Sequence, residues 1–377
     1  MTHSATDWVA ALSPWPADGF GTDRMRALLA RLGDPQLRYE SVHVVGTNGK
    51  STTTRLTEAL LADAGLRVGA YLSPHVRGWS ERIRVAGVEA DFEAAVARVR
   101  PQAEQATQFE VVTAAALLAF AEAGVDVAVV EAGLGGRHDA TNVLETSVVV
   151  LTNVALDHMD VLGETREAIA AEKLAVVQPG CTVVLGDSEW EGLARENGAA
   201  RVVVAGSSNL ALATAAAEAF LGAEVDPHAA QDVFLPGRLE RRSEEPLEIW
   251  DGAHNLAGIG YLLPRLPSRE YVLVCSILAD KRPELMLEAL SVLGPTLIAT
   301  ESPNPRALRA GDLAARAEPY FSHVEPIADP HAARSRALAL AAVLGVTALP
   351  ASAVFASPAD PGTSRPRVTI TASDLSA

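Results

Sequence analysis

From residue 41 onward the chain alternates short apolar runs with amphipathic stretches, and glycine-bearing turns separate them. Residues 41–45 read as a buried strand, and 52–64 as a helix stopped by Gly65. Residues 67–71 form the next predicted strand. The stretch 111–123 has the length of a buried helix ending at Gly124, and 125–131 reads as a strand with Glu131 at its C-terminal end. Strands are also predicted at 147–152 and 181–185, on either side of a helix at 165–177. The alanine-rich segment 199–230 reads as mostly helix. After the break at Leu235-Pro236-Gly237, strands are predicted at 247–250, 271–275 and 296–300. A loop over 357–366 precedes a last predicted strand at 367–371. No internal repeat is visible.

Strand–helix alternation of this kind predicts an α/β fold whose N-terminal domain, residues 1–234, carries a mainly parallel sheet. Residues 235–377 form a smaller α/β domain. Ligands of such sheets sit at the C-terminal ends of the strands. The formal net charge is −16, which excludes a general nucleic-acid surface and requires local cations wherever an anionic substrate binds. With only Cys181 and Cys275, no disulfide framework is expected. The longest apolar stretches, 111–121 and 337–349, are too short or too interrupted to span a bilayer. Residues 1–15 lack the basic start and apolar core of a secretory signal. The expectation is a soluble, cytoplasmic monomer with no membrane partner.

The strongest local signal is Val44-Val45-Gly46-Thr47-Asn48-Gly49-Lys50-Ser51-Thr52, which follows a strand and opens a helix. Glycines let backbone amides turn toward phosphates, the helix N-terminus adds partial positive charge, and Lys50 can reach β/γ oxygens. Val44 stands where the common phosphate-loop pattern has its first glycine. Thr47, Ser51 and Thr52 either donate to phosphate or cap the helix.

This loop resembles the nucleotide loop of the Mur ligase superfamily. Further segments resemble its folate branch, the folylpolyglutamate and dihydrofolate synthases. They are Leu72-Ser73-Pro74-His75, Ser80-Glu81-Arg82-Ile83, Phe109-Glu110 with Thr113, and the run from Glu131 to Asn142. Asp157-His158, Leu162-Gly163-Glu164-Thr165, Glu172-Lys173, Pro236-Gly237-Arg238 and Asp251-Gly252-Ala253-His254-Asn255 complete the set. The matches run in family order over about residues 20–310. The resemblance implies a Mur-ligase-like C-terminal domain that closes over ATP and binds glutamate. It implies ATP-dependent ligation of L-glutamate to a folate or dihydropteroate carboxylate through an acyl phosphate.

Residue by residue, the resemblance implies that Thr47, Asn48, Gly49, Lys50, Ser51, Thr52, Asn209, Arg238, Asp251, His254 and Asn255 contact ATP. It implies one Mg2+ on Ser73 and Glu131, and a second site with His158 and a carbamylated Lys173. The catalytic set is then Lys50, Glu131, His158 and Lys173. From its own helix pattern, without the resemblance, Lys173 reads as a snorkelling surface lysine. Phe109, Glu110, Thr113, Arg82, Arg137, His138, Asp139 and Ala140 would hold the folate-type substrate, with Phe109 stacking on a pterin ring. Arg77, Arg82 and Arg84 either neutralise substrate carboxylates or pair with Glu81 and Glu89.

Several positions depart from the family pattern. Ser51 replaces a glycine common in folate enzymes, and Arg282 follows Asp280-Lys281 where relatives have aspartate. The segment Gly19-Phe20-Gly21-Thr22-Asp23-Arg24 resembles a pterin-contacting loop, with Gly19 where bifunctional bacterial enzymes carry aspartate, which predicts a preference for folates already bearing glutamate. The end Ala372-Ser373-Asp374-Leu375 differs from a glycine-serine-leucine run. The alternatives are a Mur-type ligase for another carboxylate, such as a cell-wall precursor, and a nucleotide-binding relative without catalysis.

Overall fold

The computed structural model describes residues 4–17, 19–344, 347–351, 353–355 and 369–371. The predicted loop at 357–366 and the segment Ala372-Ser373-Asp374-Leu375 lie outside the described residues. The chain divides into two compact units, with the change between Phe234 and Leu235.

The first unit is built on eight strands: β1 Glu40–Val45, β2 Val68–Tyr71, β3 Ile83–Val85, β4 Val88–Glu89, β5 Val127–Glu131, β6 Thr146–Leu151, β7 Thr182–Leu185 and β8 Arg201–Val204. Their order across the sheet is β4-β3-β2-β5-β1-β6-β7-β8. Six strands run parallel, and the hairpin β3–β4 adds antiparallel pairing at one edge. Strand β1 lies between β5 and β6, so the chain leaves toward one side and returns on the other. This makes the C-terminal end of β1 the switch point where a crevice opens.

Both faces of the sheet are buried, which is why its strands read as continuous Val-rich runs. In β5, Ala128 and Val130 pack with Phe120 and Met25, while Val127 and Val129 pack with Leu60 and Leu212. Gly69 in β2 lets the Phe120 ring lie against the backbone, because a Cβ there would stand 2.6 Å from it. The helix Gln108–Ala123 begins with a capping box between Thr107 and Glu110 and ends at Gly124, whose φ is 61°. Thr165 caps the helix Arg166–Leu174, which packs Ile169 and Leu174 against Val149 and Leu151.

The structure corrects one element of the sequence reading. Residues 199–230 are not one helical region: strand β8 extends the sheet at Arg201–Val204, and the helix is confined to Asn209–Leu221. The Arg-Val-Val-Val run is β-branched, and alanine content on both sides masks it.

Among the described residues, the main sheet of the second unit has six strands: β9 Glu240–Glu244, β10 Leu247–Trp250, β11 Tyr271–Cys275, β12 Thr296–Ala299, β13 His323–Pro326 and β14 Thr347–Ala351. Their order is β13-β12-β11-β14-β10-β9, with only β9 antiparallel to its neighbour. Leu273 and Leu297 meet Leu287 and Leu313 on one face, and Val272 and Ile298 meet Ala333 and Ala337 on the other. A separate antiparallel pair joins Ala353–Phe355 to Thr369–Thr371. Among the described residues, no helix is long and apolar enough to cross a membrane.

Candidate active site

The loop after β1 is held open by its glycines and tied to the end of β6. Gly46 has φ 147° and Gly49, at the start of the helix Lys50–Asp63, has φ 84°. Asn48 N donates to Asn153 Oδ1 at 3.0 Å, and Asn153 Nδ2 and Thr152 Oγ1 donate to the Asn48 carbonyl at 2.8 and 2.7 Å. Thr47 Oγ1 accepts from Ala155 N at 3.1 Å. Asn209, at the first turn of its helix, abuts the loop: a Cβ on Gly49 would lie 2.5 Å from Asn209 Oδ1.

Two lysines converge on this loop. Lys50 Nζ donates to the carbonyls of Gly46 at 3.1 Å and Thr47 at 3.3 Å. Lys173 Nζ donates to the same Gly46 carbonyl at 2.9 Å. Lys173 is buried in the structure, not snorkelling at the surface. Burial, and then the neighbouring Lys50 charge, lower its pKa to about 7.

The β1–β5 register sets Glu131 opposite Val44, beside the loop. Its carboxylate is 2% exposed. Ser51 Oγ donates to Glu131 Oε1 at 2.9 Å, and Ser73 N donates to Oε2 at 3.0 Å. Ser51, the departure from the folate pattern, thus touches the carboxylate expected to serve the metal. His158 sits at the start of the short helix Met159–Leu162 with φ 49°, its Nε2 3.9 Å from Asp157 Oδ1. Among the described residues, no group of three or more His, Cys, Asp or Glu is arranged to hold a metal by itself.

Two residues beyond Glu131 a cavity of about 260 Å3 begins. Phe109, Glu110, His138, Asp139 and Ala140 line it, together with Trp15, Phe20, Arg24 and Glu172. Phe109 lies over Gly133, where a Cβ would stand 2.5 Å from the ring. Asp139 accepts from Leu134 N at 2.7 Å and Thr141 N at 2.9 Å, and burial raises its pKa. Behind it, Thr141 Oγ1 meets His43 Nε2 at 2.8 Å; burial lowers the His43 pKa to about 4.

The other three predicted substrate residues are not among those lining the cavity. Thr113 is buried behind Phe109, donating to its carbonyl at 2.8 Å. Arg137 pairs with Glu172 at 3.3 Å and is half exposed. Arg82 is buried, donating to His75 Nδ1 at 3.0 Å, with its guanidinium over Trp79. Arg84 pairs with buried Glu58 at 3.2 Å, and Arg55 binds the same carboxylate. The carboxylate that Arg84 meets is thus Glu58, in place of the expected Glu81 or Glu89.

In the second unit, Asp251 accepts from Leu239 N at 2.9 Å and Ala253 N at 2.8 Å, and burial raises its pKa despite the nearby Arg238. Arg238 Nη1 donates to the Gly237 carbonyl at 3.0 Å and crowds Gly252. His254 Nδ1 is 3.0 Å from the Gly252 carbonyl, and Asn255 Oδ1 caps the helix Leu256–Leu262 through Gly258 N. Arg282 takes φ 54° at the start of the helix Pro283–Leu290.

Sequence reading did not single out Trp15, Asn153 or the His43–Thr141–Asp139 chain. Asn153 follows a predicted strand directly, so its place at a strand end was the available signal. Trp15 carries no such signal, since only the folded segment brings it beside Phe20.

The Mur ligase middle domain family matches residues 44–233. A dihydrofolate synthase/folylpolyglutamate synthase of Mycobacterium tuberculosis is 33% identical, with 79% of this chain and 77% of that protein covered. The structure of Escherichia coli FolC in complex with DHPP and ADP superposes with a TM-score of 0.81 at 29% identity, covering 93% of this chain and 95% of that one. A bifunctional folylpolyglutamate synthase/dihydrofolate synthase with Mn, AMPPNP and L-glutamate bound gives a TM-score of 0.80 at 30% identity, with coverage of 93% and 95%. Identity sustained over most of both chains, with one fold and one phosphate loop, means that this chain belongs to the folylpolyglutamate synthase/dihydrofolate synthase family, the folate branch of the ATP-dependent Mur-type ligases.

Proposed function

We propose that the chain joins the amino group of L-glutamate to the carboxylate of a folate or dihydropteroate, at the expense of ATP. The observation that carries this reading is the meeting of Lys50, Lys173 and Glu131 at the C-terminal ends of parallel strands, beside an aromatic-walled cavity. The relatives with ADP and DHPP, and with AMPPNP, Mn and L-glutamate, support the same substrates here.

In the first step a carboxylate oxygen of the acid bonds to the γ-phosphorus and ADP leaves. In the second, the glutamate nitrogen attacks the acyl carbon, phosphate leaves, and the amine gives up a proton. Lys50 neutralises charge on the β/γ oxygens, and the loop amides with the helix N-terminus hold the phosphates. Thr47, Asn48, Gly49, Ser51, Thr52 and Asn209 line that cradle. Arg238, Asp251, His254 and Asn255 serve the nucleotide from the second unit, which also receives glutamate.

Glu131, bonded by the Ser51 hydroxyl on one oxygen and by the Ser73 N–H on the other, gathers hard-oxygen residues at one point, and with Ser73 it would hold Mg2+. Bound Mg2+ supplies screening of phosphate charge. His158 and a carbamylated Lys173 would serve a second ion. The buried, low-pKa amine supports this, because only the neutral form reacts with carbon dioxide. Action in the cytoplasm as a monomer completes the proposal.

The test is phosphate release from ATP with glutamate and a panel of pteroates and folates. Release that requires both the acid and glutamate is expected, with higher kcat/KM for glutamylated folates than for dihydropteroate, since Gly19 supplies no carboxylate. ATP turnover indifferent to any carboxylate acid would overturn the ligase reading.

A further inference from the structure

We infer that Arg24 is a positioning residue: its guanidinium ties the Trp15–Phe20 side of the cavity to the helix that bears Phe109 and thereby tunes the affinity for the acid substrate. This rests on the cavity being the acid's site, as proposed above.

Trp15 and Phe20 meet edge to face, with ring centroids 5.5 Å apart. They are 38% and 46% exposed, so substantial aromatic surface lies open at the cavity. Large aromatics left uncovered beside a cavity are favourable contacts for a flat ring. The segment carrying them is secured at two points. On the Trp15 side, Gln108 N donates to the Ser13 carbonyl at 2.9 Å, and Ser13 Oγ donates to the Trp15 carbonyl at 2.6 Å. On the Phe20 side the tie is Arg24. Its Nη1 and Nη2 donate to the Gly19 carbonyl at 3.4 and 3.3 Å, while Nε donates to Glu110 Oε1 at 3.1 Å.

Glu110 is an anchor. It is buried, and its Oε2 accepts Thr107 N at 2.8 Å in the capping box that starts the helix bearing Phe109. One guanidinium therefore couples the two aromatic sides of the cavity: Trp15 and Phe20 through Gly19, and Phe109 through Glu110. Gly19, with φ 93°, turns its carbonyl to Arg24 in a conformation that a side chain would strain. Through these bonds to Gly19 and Glu110, Arg24 acts on the geometry of the wall. The bridge needs a planar fork, which lysine lacks.

The experiment measures KM for a glutamylated folate, KM for ATP, kcat and Tm in Arg24→Gln, Arg24→Lys, the Trp15→Ala/Phe20→Ala pair, and Arg24→Gln combined with that pair. Arg24→Gln is expected to raise the folate KM ~10-fold, the scale of one charge-assisted hydrogen bond, with kcat and the ATP KM unchanged. Arg24→Lys should follow Arg24→Gln. The aromatic pair should raise KM similarly, and the combination should add less than a further ~2-fold, because both changes remove one device. An unchanged folate KM, full rescue by lysine, or effects that multiply in the combination would each overturn the inference. Should Arg24→Gln not fold, Gly19→Ala replaces it: no atom stands within 4 Å of the added Cβ, so only the backbone turn is strained, and the same KM rise is expected. Phe109→Ala separates the two readings. A raised KM there with a normal Arg24→Gln enzyme removes this inference alone, and an unchanged KM in Phe109→Ala removes the cavity assignment.

Discussion

Gly46→Ala should disable the phosphate loop through one contact. The added Cβ would lie 1.9 Å from Thr152 Oγ1, far inside any real contact. Thr152 cannot back away along its strand. Its N donates to Val45 O at 3.0 Å, and on the other side its carbonyl fills the space of the missing Gly186 side chain, 2.2 Å from where a Cβ would be. It can only rotate, which breaks the 2.7 Å bond from Oγ1 to the Asn48 carbonyl. Losing a buried hydrogen bond costs about 1–3 kcal/mol, and holding alanine at φ 147° costs about 1–3 kcal/mol more. The loop escapes both by leaving its phosphate-binding shape, so the penalty falls on nucleotide binding. At about 1.4 kcal/mol per tenfold, even the lower sum of about 2 kcal/mol weakens ATP binding ~30-fold. Calorimetric titration of ADP into the wild type and the variant measures this directly. Gly65→Ala is the control: it carries the same kind of positive φ, 86°, with open space around it. It should lose about 1 kcal/mol of stability and bind ADP normally. Wild-type ADP affinity in Gly46→Ala would refute the steric reasoning.

Lys50→Ala and Glu131→Ala should each lower kcat/KM in the phosphate-release assay by ~10² to 10³, with circular dichroism unchanged. Near-normal turnover in either would remove it from the site. Lys173→Ala should lose most activity and recover part of it with added formate or acetate, whereas Lys173→Arg should stay inactive; an active arginine variant would exclude the carbamate. His43 makes a pH prediction. Its folded pKa, about 4, lies below the ordinary 6.5, so the unfolded chain binds the extra proton first. Its contribution is therefore whole above pH 6.5 and lost as pH falls toward 4, on the order of 3 kcal/mol. In denaturant titrations His43→Asn should show a shallower loss of stability over that window, and identical slopes would rule His43 out.

The fold was legible where buried strands came bounded by punctuation. Glycines at 46, 49, 65 and 124 mark real ends, and the predicted β1, β5, β6, β10 and β11 agree with the observed strands to within two residues. Strand β8 was hidden because four β-branched and charged residues sit inside an alanine-rich stretch. Strands β9, β13 and β14 were missed because short edge or proline-containing runs carry no clean period. At the site, types and order were legible, but partners were not. Lys173 reads on a helix pattern as either exposed or buried, and only the return of that helix onto the β1 loop decides it. Arg82 and Arg84 read in sequence as substrate cations or as partners of Glu81 and Glu89, while the structure sets them against His75 and Glu58, and nothing in residue spacing announces the Arg84–Glu58 contact across 26 positions.

The two lysines divide the work of the proposed site in a chain of net charge −16. Lys50 and Lys173 share one acceptor, the Gly46 carbonyl, at 3.1 and 2.9 Å. Two ammonium charges on a single neutral oxygen would repel, and burial adds a desolvation cost to the inner one, so Lys173 is the lysine that gives up its proton more readily. The inner lysine's proton affinity falls in response, and the charges of Asp157, Asp139 and Glu172 oppose that shift only in part. On the proposed function Lys50 is then the loop's full cation for the β/γ oxygens, while Lys173 keeps the neutral amine that carbamylation requires. Selectivity for a phosphate chain over a small monovalent anion would come from the row of amides that begins the helix Lys50–Asp63, which a small ion cannot span.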